Sequence, residues 1–179
     1  CVKFFDAIVT ARPDITDLFS HVNITTLRNF PILPTNTQNL QCQTRERRTV
    51  VYVGGMSKIR GIETLIDAFE NMPEYNLWLL GPLMGDEIKS RVLNSSSNIV
   101  YHGVVEPHSI WEYILQADVG IVTFLPVPNH LRTLATKPFE YMACGKPIIM
   151  SDFEYWKDTF GESALYVNPG SAEEIELAT

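Results

Sequence analysis

Residues 50–70 read VVYVGGMSKIRGIETLIDAFE, and this stretch decides the predicted fold. Its first four residues are apolar and β-branched or aromatic, which is typical of a strand buried on both faces. The glycine pair Gly54-Gly55 ends the strand. A helical spacing of apolar side chains follows, at Ile62, Leu65, Ile66 and Phe69. The stretch therefore predicts a strand, a glycine turn and an amphipathic helix over residues 61–70.

The same alternation of strand and helix continues to the end of the chain. The predicted strands are Val50–Val53, Asn76–Leu80, Ile99–His102, Val119–Phe124, Ile148–Met150 and Leu165–Val167. The predicted helices are Gly61–Glu70, Ser109–Gln116 and Pro138–Cys144, with a further helical pattern over residues 172–178. Gly145 at the C′ position and Pro147 close the third helix. This order predicts an α/β fold with a doubly wound, mainly parallel sheet.

The first 48 residues differ from the rest. Ala7–Thr10 and Asn23–Leu27 are predicted strands, Asp14–Ser20 is a predicted helix, and residues 31–48 have the polar, proline-containing composition of a linker. We expect residues 1–30 to be the end of a preceding domain and residues 49–179 to form a second domain. The chain begins at Cys1 and ends inside a helical pattern, so we expect it to be part of a longer protein.

Composition excludes several classes of function. The chain has 179 residues, 14 of them basic and 21 acidic, for a formal net charge of -7, which gives no global attraction to nucleic acid. No apolar stretch is long enough to span a bilayer. The cysteines Cys1, Cys42 and Cys144 are widely spaced and predict neither a disulfide framework nor a zinc site, so we expect a cytoplasmic protein.

Arg60 is the first candidate for ligand binding. It follows the glycine turn and lies near the start of a helix, where backbone amides and a cation attract phosphate. The alternative is a tight turn with a solvated arginine. Neither the dinucleotide-binding nor the P-loop glycine spacing is present.

Lys137 and Glu140 are the second candidates. Thr136 as N-cap and Pro138 in the first turn place Glu140 near a helix start, at the carboxyl ends of the strands, where ligands bind in open parallel sheets. There Glu140 could accept hydrogen bonds from a vicinal diol while Lys137 faces an anion. The alternative is that Glu140 stabilises the helix dipole only.

Ordered motifs carry a resemblance to a known family. They are VYVGG at residues 51–55, RGIETLIDAF at 60–69, LLG at 79–81, YHGV at 101–104, ADVGIV at 117–122, KPFEYMACGKP at 137–147 and ALYV at 164–167. Together they resemble the C-terminal domain of family 4 retaining glycosyltransferases, over about residues 49–179. The resemblance implies a GT-B fold, whose C-terminal Rossmann-like domain holds most of a nucleotide-sugar donor.

The resemblance also implies roles for particular residues. Arg60 matches the basic residue at the donor diphosphate, with Gly54-Gly55 in the turn beside it. Glu140 matches the second glutamate of the E-x7-E pattern, which holds the ribose hydroxyls. The segment that lies against the base is matched by His102, Gly103 and Val104.

The sequence departs from the family at two positions. Arg132 stands where the first glutamate of E-x7-E would be, and Gly55 stands where many members have a second basic residue. Lys137 and Arg132 could supply that charge. If Arg132 is instead an exposed residue without a role, the sugar would be bound by backbone amides near Thr133 to Thr136.

These patterns predict the donor-binding half of a cytoplasmic glycosyltransferase. Arg60 and Lys137 would stabilise the leaving diphosphate, without a cofactor or metal, because no D-x-D motif occurs. The partners would be a nucleotide-sugar and a glycan or lipid-linked acceptor, not nucleic acid; peripheral membrane association of the full-length protein is left open. The alternatives are a GT-B nucleotide-sugar epimerase and a non-catalytic domain that binds nucleotide or protein.

Some residues are predicted to have no functional role. Lone histidines in loops are more often surface residues than catalytic ones, and Cys144 has no adjacent general base, so we expect a small core residue. The isolated histidines are His21, His108 and His130.

Overall fold

The computed structural model describes residues 5–11, 15–16, 19, 23–27, 30–32 and 47–179. The chain divides into two compact units, residues 1–32 and residues 33–179. The first unit contains two short parallel strands, β1 (Ala7–Thr10) and β2 (Asn23–Thr26). Both strands were predicted. The predicted helix Asp14–Ser20 and the predicted linker fall mostly outside the described residues.

The second unit is built on a six-stranded parallel sheet. Its strands are β3 (Thr49–Val53), β4 (Asn76–Leu80), β5 (Ile99–Gly103), β6 (Val119–Val122), β7 (Ile148–Ser151) and β8 (Leu165–Val167). Their spatial order is β5-β4-β3-β6-β7-β8. The chain starts at the centre with β3, winds to one edge and returns to the centre with β6. Between β3 and β6 the winding reverses, and ligands bind at such a point, outside the carboxyl ends of the strands.

Seven helices connect and cover the described strands of this sheet. They are α1 (Ile62–Glu70), α2 (Asp86–Leu93), α3 (Ile110–Gln116), α4 (Pro128–Leu131), α5 (Lys137–Ala143), α6 (Glu154–Phe160) and α7 (Ala172–Ala178). The predicted doubly wound architecture is confirmed. The sequence analysis did not predict α2, α4 and α6. No helix in the described part of the chain is long and apolar enough to cross a membrane.

The hydrophobic core lies in two layers, one on each face of the sheet. On one face α1, α2 and α7 pack through residues such as Leu65, Val92 and Ile175; on the other, α3, α5 and α6 pack through residues such as Tyr141 and Trp156. All five residues of β3 are buried, and the four from Val50 to Val53 alternate between the two layers. Each large apolar side chain removed from water in this way stabilises the fold by ~1.5–3 kcal/mol.

Helix α5 ends as its sequence predicts. Gly145 lies at the C′ position with a φ of 66°. Its amide donates to the carbonyl of Met142, and the amide of Lys146 donates to the carbonyl of Tyr141. These two bonds form a Schellman motif, which satisfies carbonyl groups at the helix end. The motif fixes where α5 stops and where the chain turns into β7.

Candidate functional site

The carboxyl end of β3 opens into a turn held by close backbone contacts. The amide of Gly54 donates to the carbonyl of Leu80, and a Cβ on Gly81 would lie 2.1 Å from the Gly54 carbonyl oxygen. Gly81 also has a φ of 134°, so no other residue fits there without movement of the backbone. The turn after β3 therefore lies directly against the end of β4.

Arg60 is positioned by a second close contact. It ends a 3-10 turn, Lys58–Arg60, and the next residue, Gly61, has a φ of 69°. A Cβ on Gly61 would lie 2.0 Å from the carbonyl oxygen of Thr123, just after β6. This contact joins the start of α1 to the end of β6 and brings Arg60 to the point between β3 and β6 where the winding reverses. We call Gly54, Gly55, Gly61 and Gly81 the glycine wall.

The guanidinium of Arg60 lies over this wall. Its Cζ is 5.1 Å from the ring centroid of Phe124, and its Nη1 would be 3.2 Å from a Cβ on Gly54. Burial raises the pKa of the Tyr52 phenol to about 12, while the neighbouring Arg60 opposes that rise. Tyr52 therefore stays protonated, and its hydroxyl donates to the Gly55 carbonyl at 3.0 Å. Arg60 has no carboxylate within salt-bridge distance among the described residues.

Lys137 and Glu140 contact each other in the first turn of α5. Lys137 Nζ is 2.7 Å from Glu140 Oε1 and 2.6 Å from Oε2, and the two side chains are 23% and 13% exposed. Thr136 occupies the N-cap position but makes no capping hydrogen bond through its side chain. The ammonium of Lys137 thus compensates the charge of the Glu140 carboxylate.

Tyr141 links α5 to the end of β3. Its ring is fully buried over Gly120 of β6, where a Cβ would lie 2.3 Å from the ring. The amide of Val53 donates to its hydroxyl oxygen at 3.1 Å. Burial raises the pKa of this phenol far above its usual range, so the hydroxyl remains neutral. The bond gives the Val53 amide an acceptor beyond Val51, the last residue of β3 that pairs with β6.

Two adjoining pockets open at this edge of the sheet. The first has a volume of about 250 Å³ and is lined by Val53, Gly54, Arg60, Val122, Phe124, Asn129, His130, Thr133, Leu134, Ala135, Thr136 and Lys137. The second, of about 180 Å³, is lined by Val53, Gly54, Gly55, Leu80, Gly81, Pro82, Val104, Val105 and Ile110. Val53 and Gly54 belong to both. The first pocket is bordered by cations, whereas the second is almost entirely apolar.

The structure brings most of the sequence candidates to these pockets. Arg60, Thr133, Thr136 and Lys137 line the first pocket, Gly55 and Val104 line the second, and Gly54 lines both. Four candidates lie outside both linings: His102, Gly103, Arg132 and Glu140. Glu140 remains connected to the first pocket through Lys137.

Arg132 and His102 have different surroundings. Arg132 is exposed at the end of α4. His102 packs against Trp78 and Tyr113, with ring centroids 5.1 Å and 4.8 Å away. Its Nε2 is buried without a hydrogen-bond partner, and burial lowers the pKa of its imidazole.

The sequence analysis missed His130. We expected a surface side chain, but His130 is only 7% exposed and lines the first pocket beside Phe124. The sequence around His130 has no pattern that indicates its burial. The burial comes from how the connection between β6 and α5 folds around the imidazole. Cys144, predicted to be a small core residue, is half-buried and packs against the core layer of α3, α5 and α6, and burial raises the pKa of its thiol to about 11.

Comparison with known proteins gives a family and a fold. The model of the family described as "Glycosyl transferases group 1" matches residues 47–179, well over half of the chain. Two proteins of Bacillus subtilis are similar. The one named as teichuronic acid biosynthesis glycosyltransferase TuaH is 23% identical over 60% of this chain and 27% of its own length. The one named TuaC is 27% identical over 74% of this chain and 32% of its own length.

Solved structures agree with the fold. HepE of Anabaena, in complex with UDP and glucose, has a TM-score of 0.72 at 16% identity, covering 98% of this chain and 52% of that protein. Sucrose-phosphate synthase of Thermosynechococcus elongatus has a TM-score of 0.69 at 21% identity, covering 97% of this chain and 48% of that protein. The chain thus spans about a third or less of these curated relatives and about half of these structural neighbours.

Proposed function

Because the chain belongs to the glycosyl transferases of group 1, we propose that residues 47–179 bind the nucleotide-sugar donor of a retaining glycosyltransferase. The observation that carries this proposal is the pair of adjoining pockets at the carboxyl ends of β3 and β6. One pocket is bordered by cations and polar side chains, and the other is almost entirely apolar. A ligand with a diphosphate and sugar at one end and a base at the other matches this division.

In this proposal Arg60 and Lys137 contact the diphosphate. Both line the first pocket, and charge-assisted hydrogen bonds to phosphate are among the stronger polar contacts. When the bond to the anomeric carbon breaks, negative charge develops on the leaving diphosphate. Cations already in place stabilise that charge without a reorganisation step, so no metal ion is needed.

Glu140 is proposed to hold the ribose hydroxyls. Its carboxylate offers about four lone-pair positions, and the ammonium of Lys137 uses one on each oxygen, so two remain free. The same ammonium has three donors and retains one for a phosphate oxygen. The contact between Lys137 and Glu140 is therefore compatible with both proposed roles. The base would lie in the second pocket, against Val104.

The active site would be completed by a facing domain. The chain spans only part of its relatives, so we propose that the acceptor, a glycan or a lipid-linked glycan, is held mainly by the remainder of the protein. The nucleotide-sugar is drawn from the cytoplasm. The chain alone should bind a nucleoside diphosphate weakly and transfer no sugar. Sugar transfer by the chain alone would contradict a shared active site.

The first test is a thermal-shift and calorimetry panel of UDP, GDP and ADP on the whole chain. A ligand that binds only the native state raises stability by RT ln(1 + [L]/Kd). The nucleotide that carries the preferred base should therefore raise the melting temperature most. Arg60→Met should weaken the binding of that nucleotide by ~1.5–3 kcal/mol, because a charged contact is lost. Lys58→Met, in the same 3-10 turn, is the matched control and should change little. Absence of binding by all three nucleotides would contradict the proposal.

The second test addresses Glu140. Glu140→Gln retains the shape but removes the charge, and should cost ~1.5–3 kcal/mol of nucleotide affinity if two charged hydrogen bonds weaken. The loss should be smaller for the 2′-deoxynucleotide. Glu154→Gln is the matched control, since Glu154 is also a first-turn glutamate of a seven-residue helix. Equal affinity of wild type and Glu140→Gln for both nucleotides would leave Glu140 with a structural role only.

A further inference from the structure

His130 is held in a defined orientation at the wall of the first pocket. It lies in the short helix α4, within the connection from β6 to α5, and is 7% exposed. Its ring packs against Phe124, with centroids 4.7 Å apart, and Phe124 also carries the guanidinium of Arg60. The imidazole is therefore fixed beside the residue proposed to bind the diphosphate.

The contacts of His130 define which ring nitrogen is available. Nδ1 lies 3.0 Å from the carbonyl oxygen of Leu125. A carbonyl oxygen only accepts, so Nδ1 must carry the hydrogen, and in the neutral ring Nε2 is then an acceptor. Nε2 has no hydrogen-bond partner within the described residues. Nε2 is not fully buried, so solvent reaches it. His130 lines the first pocket, and Nε2 is the ring nitrogen that remains for a ligand there.

Few other side chains of the first pocket can accept a hydrogen bond. Arg60 and Lys137 can only donate hydrogen bonds. Asn129, Thr133 and Thr136 do carry oxygen acceptors, but Asn129 is exposed and the two threonines are half-buried. His130 is the buried acceptor of this lining, and its orientation is set by Leu125 and Phe124.

We propose that Nε2 of His130 accepts a hydrogen bond from a hydroxyl of the donor sugar, which makes His130 a sugar-recognition residue. This role rests on the proposed nucleotide-sugar function of the same pocket. The partner must be a donor, because two acceptors facing each other form no bond. Phosphate oxygens are acceptors at neutral pH, so a sugar hydroxyl matches Nε2 and the diphosphate does not. Arg132, which is exposed outside the pocket, is not needed for this contact.

The test compares sugar nucleotides with bare nucleotides on the whole chain. UDP and UDP-glucose are the first pair of probes, followed by GDP with GDP-mannose and ADP with ADP-glucose. All titrations are carried out at the same pH, about pH 8. His130→Asn can keep an amide donor towards Leu125 but removes Nε2. We expect this variant to lower the affinity for the sugar nucleotide by about 3- to 10-fold and the affinity for the bare nucleotide by less than about two-fold.

His108→Asn is the matched control, because His108 is an exposed histidine of the same unit, and neither affinity should change. Equal loss of both ligands in His130→Asn, or no loss, would overturn the role of His130 and leave the proposed function intact. Failure of wild type to bind any pair would contradict the proposed function itself. The two failures are therefore distinguishable.

A second measurement does not depend on folding of the variant. In wild type with ¹⁵N-labelled histidine, UDP-glucose should shift the Nε2 resonance of His130, while UDP should leave it nearly unchanged. The Nδ1 resonance, held by Leu125, should respond less than Nε2. The same shift with both ligands would overturn the proposal, as would the absence of any shift on binding of the sugar nucleotide.

Discussion

The two sides of the candidate site are held by different kinds of contact. On one side the glycine wall, of which Gly54 lines the first pocket, is formed by backbone that approaches backbone, at Gly81 against Gly54 and at Gly61 against Thr123. On the other side, the connection from β6 to α5 is held by side chains that reach distant backbone groups. The indole of Trp156 donates to the Thr133 carbonyl at 2.8 Å, and His130 contacts the Leu125 carbonyl.

This difference indicates how each side responds to substitution. A backbone contact at van der Waals distance leaves no room for an added methyl group, and backbone cannot change rotamer to relieve the collision. A side-chain contact can be lost singly, and its cost is that of the hydrogen bond and the packing around it. We therefore expect large effects at the glycine wall and smaller, more local effects in the connection.

The largest effect should come from Gly61→Ala. Gly61 and Gly145 have almost the same positive φ, 69° and 66°, but a Cβ on Gly61 meets the Thr123 carbonyl at 2.0 Å whereas a Cβ on Gly145 meets nothing within 4 Å. Gly145→Ala should cost ~1–2 kcal/mol from backbone conformation alone. Gly61→Ala adds overpacking of ~1–3 kcal/mol or more. Urea unfolding of both variants measures the difference, and equal losses would mean that the end of β6 moves freely away from α1.

How much of the site could be predicted follows from the same difference. The glycine positions and the strand before them are visible in the sequence, because glycine and continuous apolar runs each have a local cause. Arg60 and Lys137 could be nominated from their places after strands. His130 could not, since its ring is held by Phe124 and by the Leu125 carbonyl, and the segment around it has no periodic pattern.

The fold was predicted unevenly for a similar reason. The central strands were placed within one or two residues because both faces are covered and their sequences are continuously apolar. Helix α2 was missed: only Ile88 and Val92 are buried among its eight residues, so its periodic signal is short. The ion pair between Lys137 and Glu140 was also missed. Their spacing of three residues on one helix permits a contact, but the same spacing permits both side chains to face a ligand.

A middle-sized effect should come from Tyr141→Phe, which removes the link between the two sides. The buried Val53 amide would lose its acceptor, and an unsatisfied buried donor costs ~1–3 kcal/mol. Tyr166→Phe is the matched control, since its hydroxyl donates to the Gly161 carbonyl at an exposed site. We expect Tyr166→Phe to cost much less. Chemical denaturation gives both values, and nucleotide titration should show weaker binding for Tyr141→Phe only. Similar stability of the two variants would show that water replaces the hydroxyl at Val53.

The smallest effect should be a pH dependence from His102, at the end of β5. Burial lowers the pKa of this imidazole, so the unfolded chain binds a proton more readily than the native chain. The contribution of His102 to the free energy of unfolding is therefore fully present above the ordinary histidine pKa of about 6.5. It is lost as the pH falls through the lowered pKa of the native state. His102→Phe keeps an aromatic ring against Trp78 and Tyr113 but cannot titrate. Between about pH 7.5 and about pH 5.5 it should lose less stability than wild type, whereas His108→Phe, at an exposed position, should follow wild type. Parallel curves for wild type and His102→Phe would mean that water reaches Nε2 and that burial does not penalise its charged form.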